Sequence, residues 1–288
     1  MNWLIVGADG QLGRSLQKAL KTRNISYQTL THRELDITDL TQVRESFKNS
    51  KADVIVNVAA YTNVEQAEVE SAKAFSVNER GARNLAMVAR QKDCKFVHFS
   101  TDYVFSGAKS HPWKIGEEVK PLSVYGKSKL AGEIAIMDEY SINSIVVRTS
   151  WLYSPFGRNF YKTILSLALS SSDPVSVVND QFGQPTNAED LSNLVISALS
   201  NNVPSGIYHG SNSGVATWHD FAVEIFRLAG ADITRVREIT ADEYKSKAAR
   251  PEYSVLDNSK WSEFGVKELD PWRESVRRAF PTIHKSLS

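Results

Sequence analysis

Apolar residues in the first half of the chain alternate between short unbroken runs and wider, periodic spacings. The runs Trp3–Val6, Val54–Val58, Phe96–Phe99 and Ile145–Val147 are rich in β-branched and aromatic residues, a pattern that suits strands buried on both faces. A further strand is placed at Ile25–Leu30. Between them, Leu12, Leu16, Ala19 and Leu20, and then Phe75, Ala82, Leu85, Ala86 and Ala89, recur at helical intervals. Strand, helix, strand alternation predicts an α/β fold, a Rossmann-type doubly wound parallel sheet over residues 1–150. After Ser150 the rhythm changes: Pro, Gly, Asn and Ser become frequent, with one isolated strand at Val175–Val178 and helices near Asn159–Ser170, Glu189–Leu199 and Trp218–Ala229. Residues 151–288 are therefore expected to form mainly a smaller C-terminal substrate-binding lobe, with parts of it returning to the first domain.

Composition narrows the class of partner. At 288 residues and 42% hydrophobic, the chain can bury a large core. Its 34 basic and 33 acidic residues nearly cancel, so no strong field draws it to nucleic acid or anionic lipid, and a small molecule is the expected partner. The start, Met1 to Gly7, has no basic n-region and too short an apolar run for a signal peptide or membrane span, which predicts a cytoplasmic protein. Cys94 is the single cysteine and reads as a small core residue. The six histidines show no H-x-x-x-H pair and no G-x-S-x-G string is present, so neither a metal site nor a serine hydrolase is expected.

Directly after the first strand comes Gly7-Ala8-Asp9-Gly10-Gln11-Leu12-Gly13, opening an amphipathic helix. Glycines there permit a tight turn, let the backbone approach a pyrophosphate, and let helix pack on strand. The helix N-terminus offers unpaired N–H groups to phosphate. A dinucleotide site is predicted, with Gly7, Gly10 and Gly13 in it. Cofactor choice is read after the second strand, where Thr31-His32-Arg33-Glu34-Leu35-Asp36 carries both signs. Arg33, with His32, favours the 2′-phosphate of NADPH; NADH remains the alternative, with Arg33 then a surface charge paired to Glu34 or Asp36.

Tyr125-Gly126-Lys127-Ser128-Lys129 places Tyr125 and Lys129 at i and i+4, on one face of a helix. Carbonyl reduction needs such a pair, because a positioned phenol can deliver the proton while an ammonium beside it lowers the phenol pKa. Upstream, the strand Phe96–Phe99 ends in Ser100 and Thr101, which should sit at the ligand-binding end of a parallel sheet. A hydroxyl there can stabilise the developing oxyanion, and Thr101 is the first choice. Asp102 is expected to cap a turn.

With these strings in hand, the chain resembles the extended short-chain dehydrogenases, and within them the dTDP-4-dehydrorhamnose reductase family. The resemblance rests on Gly7–Gly13, Val58-Ala59-Ala60-Tyr61-Thr62, Ser100–Phe105, Tyr125–Lys129, Arg148-Thr149-Ser150-Trp151, Asn179–Thr186 and Arg250-Pro251, and so spans nearly the whole chain. It implies NAD(P)H-dependent reduction of the 4-keto group of dTDP-4-dehydro-L-rhamnose to dTDP-L-rhamnose, a surface-polysaccharide precursor. It also implies Thr101, Tyr125 and Lys129 as the catalytic trio. Gln11, Leu12, Ala59, Ala60 and Thr62 become cofactor contacts, and Asp36 and Ile37 adenine contacts that compete with Arg33 as discriminator. The substrate set is Thr101, Asp102, Tyr103, Trp151, Asn159, Gln181, Pro185, Thr186 and Arg250, the last as a bidentate diphosphate ligand.

Some members of that family dimerise through a Mg²⁺ held by glutamates. This chain has Glu189 at one such position but Gly13-Arg14-Ser15-Leu16 where another is expected, so the prediction is a monomer or weak homodimer without a bridging metal. Two alternatives stay open. The chain reduces a different nucleotide-linked 4-keto-6-deoxysugar, for example toward 6-deoxytalose, or it is a non-catalytic cofactor-binding subunit like the partners of methionine adenosyltransferase.

Overall fold

The computed structural model describes residues 1–287. Its centre is a six-stranded sheet built from β1 (Trp3–Val6), β2 (Tyr27–Leu30), β3 (Val54–Asn57), β4 (Lys95–Thr101), β5 (Ser144–Thr149) and a sixth strand, Gly206–His209. In space the sheet runs from that sixth strand through β5, β4, β3 and β1 to β2, and every neighbouring pair is parallel. The chain therefore leaves β1 toward β2 on one side and returns to β3 on the other. Ligands gather at such a reversal, in the crevice beyond the carboxyl ends of the strands.

Side chains alternate across the strands, so the two faces bury different sets. Ile5, Val56, Val97 and Val147 pack beneath α1 (Gln11–Thr22) and the helix Ala188–Ser200. Leu4, Ile55, Phe96 and Val146 pack on the opposite face with Leu85, Ala86 and Ile136, from the helices Ala82–Gln91 and Val124–Tyr140. This doubly wound sheet is a Rossmann-type fold.

A second core holds the smaller lobe, where the helices Phe160–Ser170, Trp218–Leu228 and Trp272–Lys285 enclose Tyr153, Tyr161, Phe221 and Phe226. Two short strands, Val175–Val178 and Val236–Ile239, pair in parallel beside them. The helix Ala188–Ser200, the strand Gly206–His209 and Trp261 belong to the first core, so the sequence boundary near residue 150 is not a boundary in space. Among the described residues no helix is long and apolar enough to cross a membrane.

Candidate active site

At the carboxyl ends of β1, β3, β4 and β5, facing the smaller lobe, lies a cavity of about 590 Å³. On its sheet side the turn after β1 leads into α1. Gly10 occupies the cap position with no side-chain hydrogen bond to the helix, leaving the first-turn N–H groups available to an anion. Gly7 has φ of +85°, and a Cβ there would stand 2.5 Å from the Ala59 nitrogen. Both the torsion and the contact require glycine. Gly7→Ala is expected to strain the loop by about 1–3 kcal/mol and to weaken NADPH binding roughly ten-fold or more. Fluorescence titration of the reduced nicotinamide checks this, and unchanged affinity would refute the role of the loop.

Thr101 ends β4, buried, and its Oγ1 donates to Asp102 Oδ1 at 3.0 Å while accepting from the Tyr103 N–H at 3.1 Å. Ser254, from far along the chain, donates to Asp102 Oδ2 at 2.6 Å. The helix Val124–Tyr140 begins under a Ser123 cap, whose hydroxyl accepts from Gly126 N–H at 3.1 Å. Gly126 itself faces the Tyr103 carbonyl so closely that no side chain fits. That approach brings Tyr125 and Lys129 into the cavity wall beside Thr101. Lys129 Nζ donates to the Phe99 carbonyl at 2.6 Å and lies 3.2 Å from His98 Nε2.

Burial sets the electrostatics of the group. It pushes the Tyr125 phenol up to about 12, against the neighbouring Thr101 hydroxyl, whose proximity favours the phenolate. It lowers Lys129 to about 8, opposed by the charge of Glu133. The Asp102 carboxyl is raised to about 7, again by burial, against hydrogen bonds from Ser254 and Thr101. Because that folded value lies above the ordinary carboxylate value of 3.8, Asp102 supports folding when protonated, and its contribution fades as pH rises from about 4 through about 7. Asp102→Asn should flatten this part of the stability curve. Urea midpoints of the two proteins from pH 4 to 8 test it, and parallel curves would sink it.

Asp9, Gly10, Gln11, Leu12, Ala59, Ala60 and Thr62 line the cavity with Thr101, Asp102, Tyr103, Trp151 and Asn159. Asn159 caps the helix Phe160–Ser170 and donates to Gln11 Oε1 at 2.8 Å, tying the glycine loop to the smaller lobe. Gly13 is buried in α1, its Cα facing the Gly7 carbonyl and Ala8 without room for a side chain.

Other expected contacts lie elsewhere. Arg33 is exposed beyond β2 and lines no part of the cavity. Asp36 binds the Thr38 N–H at 2.9 Å, which keeps its carboxyl below the usual range. Ile37 is a core residue against Gly81. Gln181, Pro185 and Thr186 are buried but do not line the cavity. Thr186 pairs with Leu152 in a two-residue ladder, and its hydroxyl is used by the Gln184 carbonyl. Thr186, whose N–H also donates to the Trp151 carbonyl at 3.2 Å, thus braces the wall rather than facing the void. Arg250 also lies off the cavity lining, its guanidinium 2.8 Å from Glu65 Oε1.

Trp151, expected as a substrate contact, lines the cavity but does not present its indole alone. Instead it stacks on Trp218 at 3.7 Å and 9°, and Phe160 adjoins Trp218 at 4.7 Å. Trp218, Phe160, Ser100 and Thr149 all line the cavity. The hydroxyls of Ser100 and Thr149 are buried without a hydrogen-bond partner among the described residues. In the sequence Trp218 carries only the signal of a helix start, and no spacing links it to Trp151. Glu189, at the surface, is ion-paired with Lys18 at 2.8 Å.

A family model described as "RmlD substrate binding domain" matches residues 1–284. A dTDP-4-dehydrorhamnose reductase of Streptomyces griseus is 41% identical across 98% of this chain and 93% of its own length. A dTDP-4-keto-6-deoxy-D-glucose reductase of Streptomyces niveus is 39% identical across 99% of each. The crystal structure of dTDP-4-dehydrorhamnose reductase from Bacillus anthracis in complex with NADP superposes with a TM-score of 0.93 at 35% identity, covering 97% of this chain and 98% of that one. The glycine loop, the buried Thr101, Tyr125 and Lys129, and these full-length matches agree: the chain belongs to the dTDP-4-dehydrorhamnose reductase family, the one that the RmlD substrate binding domain model describes.

Proposed function

We propose that this protein reduces the 4-keto group of dTDP-4-dehydro-L-rhamnose with NADPH, giving dTDP-L-rhamnose. The observation that carries the reading is the meeting of Thr101, Tyr125 and Lys129 in one buried wall at the strand ends, beside an uncapped glycine-loop helix. The residues fit a dinucleotide: the Gly7 turn approaches Ala59 too closely for any side chain, the first turn of α1 is open to phosphate, and two buried hydroxyls lack partners among the described residues. Gly7, Gly10, Gln11, Leu12, Ala59, Ala60 and Thr62 would hold it; when bound it supplies the hydride.

The protein's part is the proton and the oxyanion. The Tyr125 phenol, protonated at working pH by its raised pKa, delivers a proton to the ketone oxygen. The Thr101 hydroxyl donates to the same oxygen as charge develops on it. For that, Thr101 must release Asp102 Oδ1, and protonated Asp102 favours the release by donating rather than accepting. The Lys129 ammonium favours the phenolate left behind. Burial excludes bulk water and strengthens each of these interactions.

Trp151 and Trp218 form an aromatic wall suited to a sugar or base face. Arg250, behind Tyr103, is the proposed diphosphate ligand, and reaching the cavity requires it to leave Glu65. The same loop chemistry is compatible with NADH, and Arg33 is the residue proposed to favour NADPH. A cytoplasmic monomer or weak homodimer completes the reading. The Streptomyces niveus relative, named for dTDP-4-keto-6-deoxy-D-glucose, supports a second reading, reduction of a different nucleotide-linked 4-keto-6-deoxysugar, for example toward 6-deoxytalose, because pocket shape rather than the catalytic trio selects the ketone. Absorbance of the reduced nicotinamide with the dTDP-ketosugar and each cofactor in turn, followed by NMR of the product, separates these. dTDP-L-rhamnose is the expected product; a dTDP-6-deoxytalose product overturns the first reading, and no oxidation of either cofactor overturns both.

A further inference from the structure

Lys129 is 2% exposed and has no carboxylate within hydrogen-bonding distance among the described residues. Its neighbours are the Phe99 carbonyl and His98 Nε2, at 2.6 and 3.2 Å. His98 is equally buried, at 1% exposure, and takes no part in the reaction described above. Its other ring nitrogen, Nδ1, lies 2.9 Å from Asn57 Nδ2. A neutral imidazole has one donor and one acceptor nitrogen, and the partner of one decides the role of the other.

The orientation of the Asn57 amide is fixed from the far side. Its Oδ1 accepts the Ala59 N–H at 3.0 Å, so its Nδ2 must face the ring and donate to Nδ1. The ring proton then resides on Nε2, pointing at Lys129. We propose that His98 is a positioning residue for Lys129: Asn57 holds the imidazole as the Nε2–H tautomer, so that it presents a donor to the lysine nitrogen.

An ammonium cannot accept a hydrogen bond, whereas a neutral amine accepts one and still donates to Phe99. The Asn57–His98 pair thus favours the amine and makes the ammonium a readier acid beside Tyr125. Burial acts in the same direction, holding Lys129 at about 8 and keeping His98 neutral, well below its usual range. Other ionisable groups around the lysine do not reverse this. Glu133, one turn on, is closed on Arg148 at 2.7 Å. Asp102, on the strand side, is raised to about 7, and Tyr125, on the lysine's own helix, to about 12. The role rests on the proposed reductase reading, but its first test does not depend on activity.

In the ¹⁵N-histidine-labelled full-length protein, with the signal assigned by loss in His98→Gln, His98 should show a protonated Nε2. A protonated Nδ1 would overturn the proposal. Asn57→Asp keeps an acceptor for the Ala59 N–H but turns the other oxygen into an acceptor for Nδ1–H. The tautomer should invert, and the alkaline limb of kcat/KM for ketosugar reduction should move up by roughly one pH unit or more. A limb that stays put, or one that moves while the tautomer does not invert, overturns the coupling. An inactive wild type with the expected tautomer would instead refute the reductase reading and leave the tautomer assignment standing.

Discussion

Tyr125→Phe is expected to bind NADPH as the native protein does and to lose turnover by about 10²–10⁴-fold. The phenol stands in the cavity wall with its hydroxyl beside Thr101, and its ring packs edge-on against Tyr103 at 5.9 Å. Removing one oxygen leaves that packing and the glycine loop untouched, so the loss falls on proton delivery and appears in kcat rather than in cofactor affinity. Cofactor titration and steady-state rates together check it. Activity within a few-fold of the native protein would mean that another group, with Thr101 the nearest, supplies the proton.

The largest stability effect is expected from Glu133→Gln. Glu133, on the helix that carries Tyr125 and Lys129, and Arg148, on β5, form a bidentate pair at 2.7 and 2.9 Å, exposed by only 1% and 4%. The guanidinium also lies over the Phe105 ring at 5.1 Å from its centroid. Neutralising the carboxylate leaves the arginine charge buried without its counterion, a loss of about 3–5 kcal/mol. For a domain whose whole stability is about 5–15 kcal/mol, that is a large share. Replacing both residues together, as Glu133→Leu with Arg148→Leu, should recover much of it, because no lone charge remains. Urea unfolding of the single and double variants measures this; a single-variant loss under about 1 kcal/mol would show that water or another group solvates Arg148. The site should suffer too, since the pair braces the catalytic helix against the sheet.

Much of the fold was legible. The strands Trp3–Val6 and Val175–Val178 occupy their predicted residues, because short runs rich in apolar and β-branched residues and bounded by turn residues carry a strong local signal. The helices Phe160–Ser170 and Trp218–Leu228 differ from expectation by one residue at an end, where caps decide. The long helix read through Phe75 to Ala89 is broken by a π-helical stretch at Ser76–Gly81, where Asn78 turns its side chain to the Tyr61 backbone and Ser128. Such a break depends on a partner dozens of residues away. Among the elements not predicted are the sheet strand Gly206–His209, only four residues long, and the helix Trp272–Lys285, whose buried residues Trp272, Val276, Ala279 and Ile283 recur at helical spacing but whose last turns contain Pro281.

The sequence by itself determined the glycine loop and the Tyr125/Lys129 pair, because a βα turn and an i,i+4 spacing are local and survive in any context that forms the helix. It also placed Thr101 at a strand end. Only the tertiary structure decided what surrounds them. Trp218 meets Trp151, Ser254 reaches Asp102, and Asn57 orients His98 against Lys129, each across tens of residues of sequence. Burial, which raises Asp102 and Tyr125 and lowers Lys129, arises only when the sheet and the smaller lobe close over them. Sequence spacing records which side chains share an element; it carries no measure of the water removed when elements meet, and that removal sets the protonation states on which the proposed reduction depends.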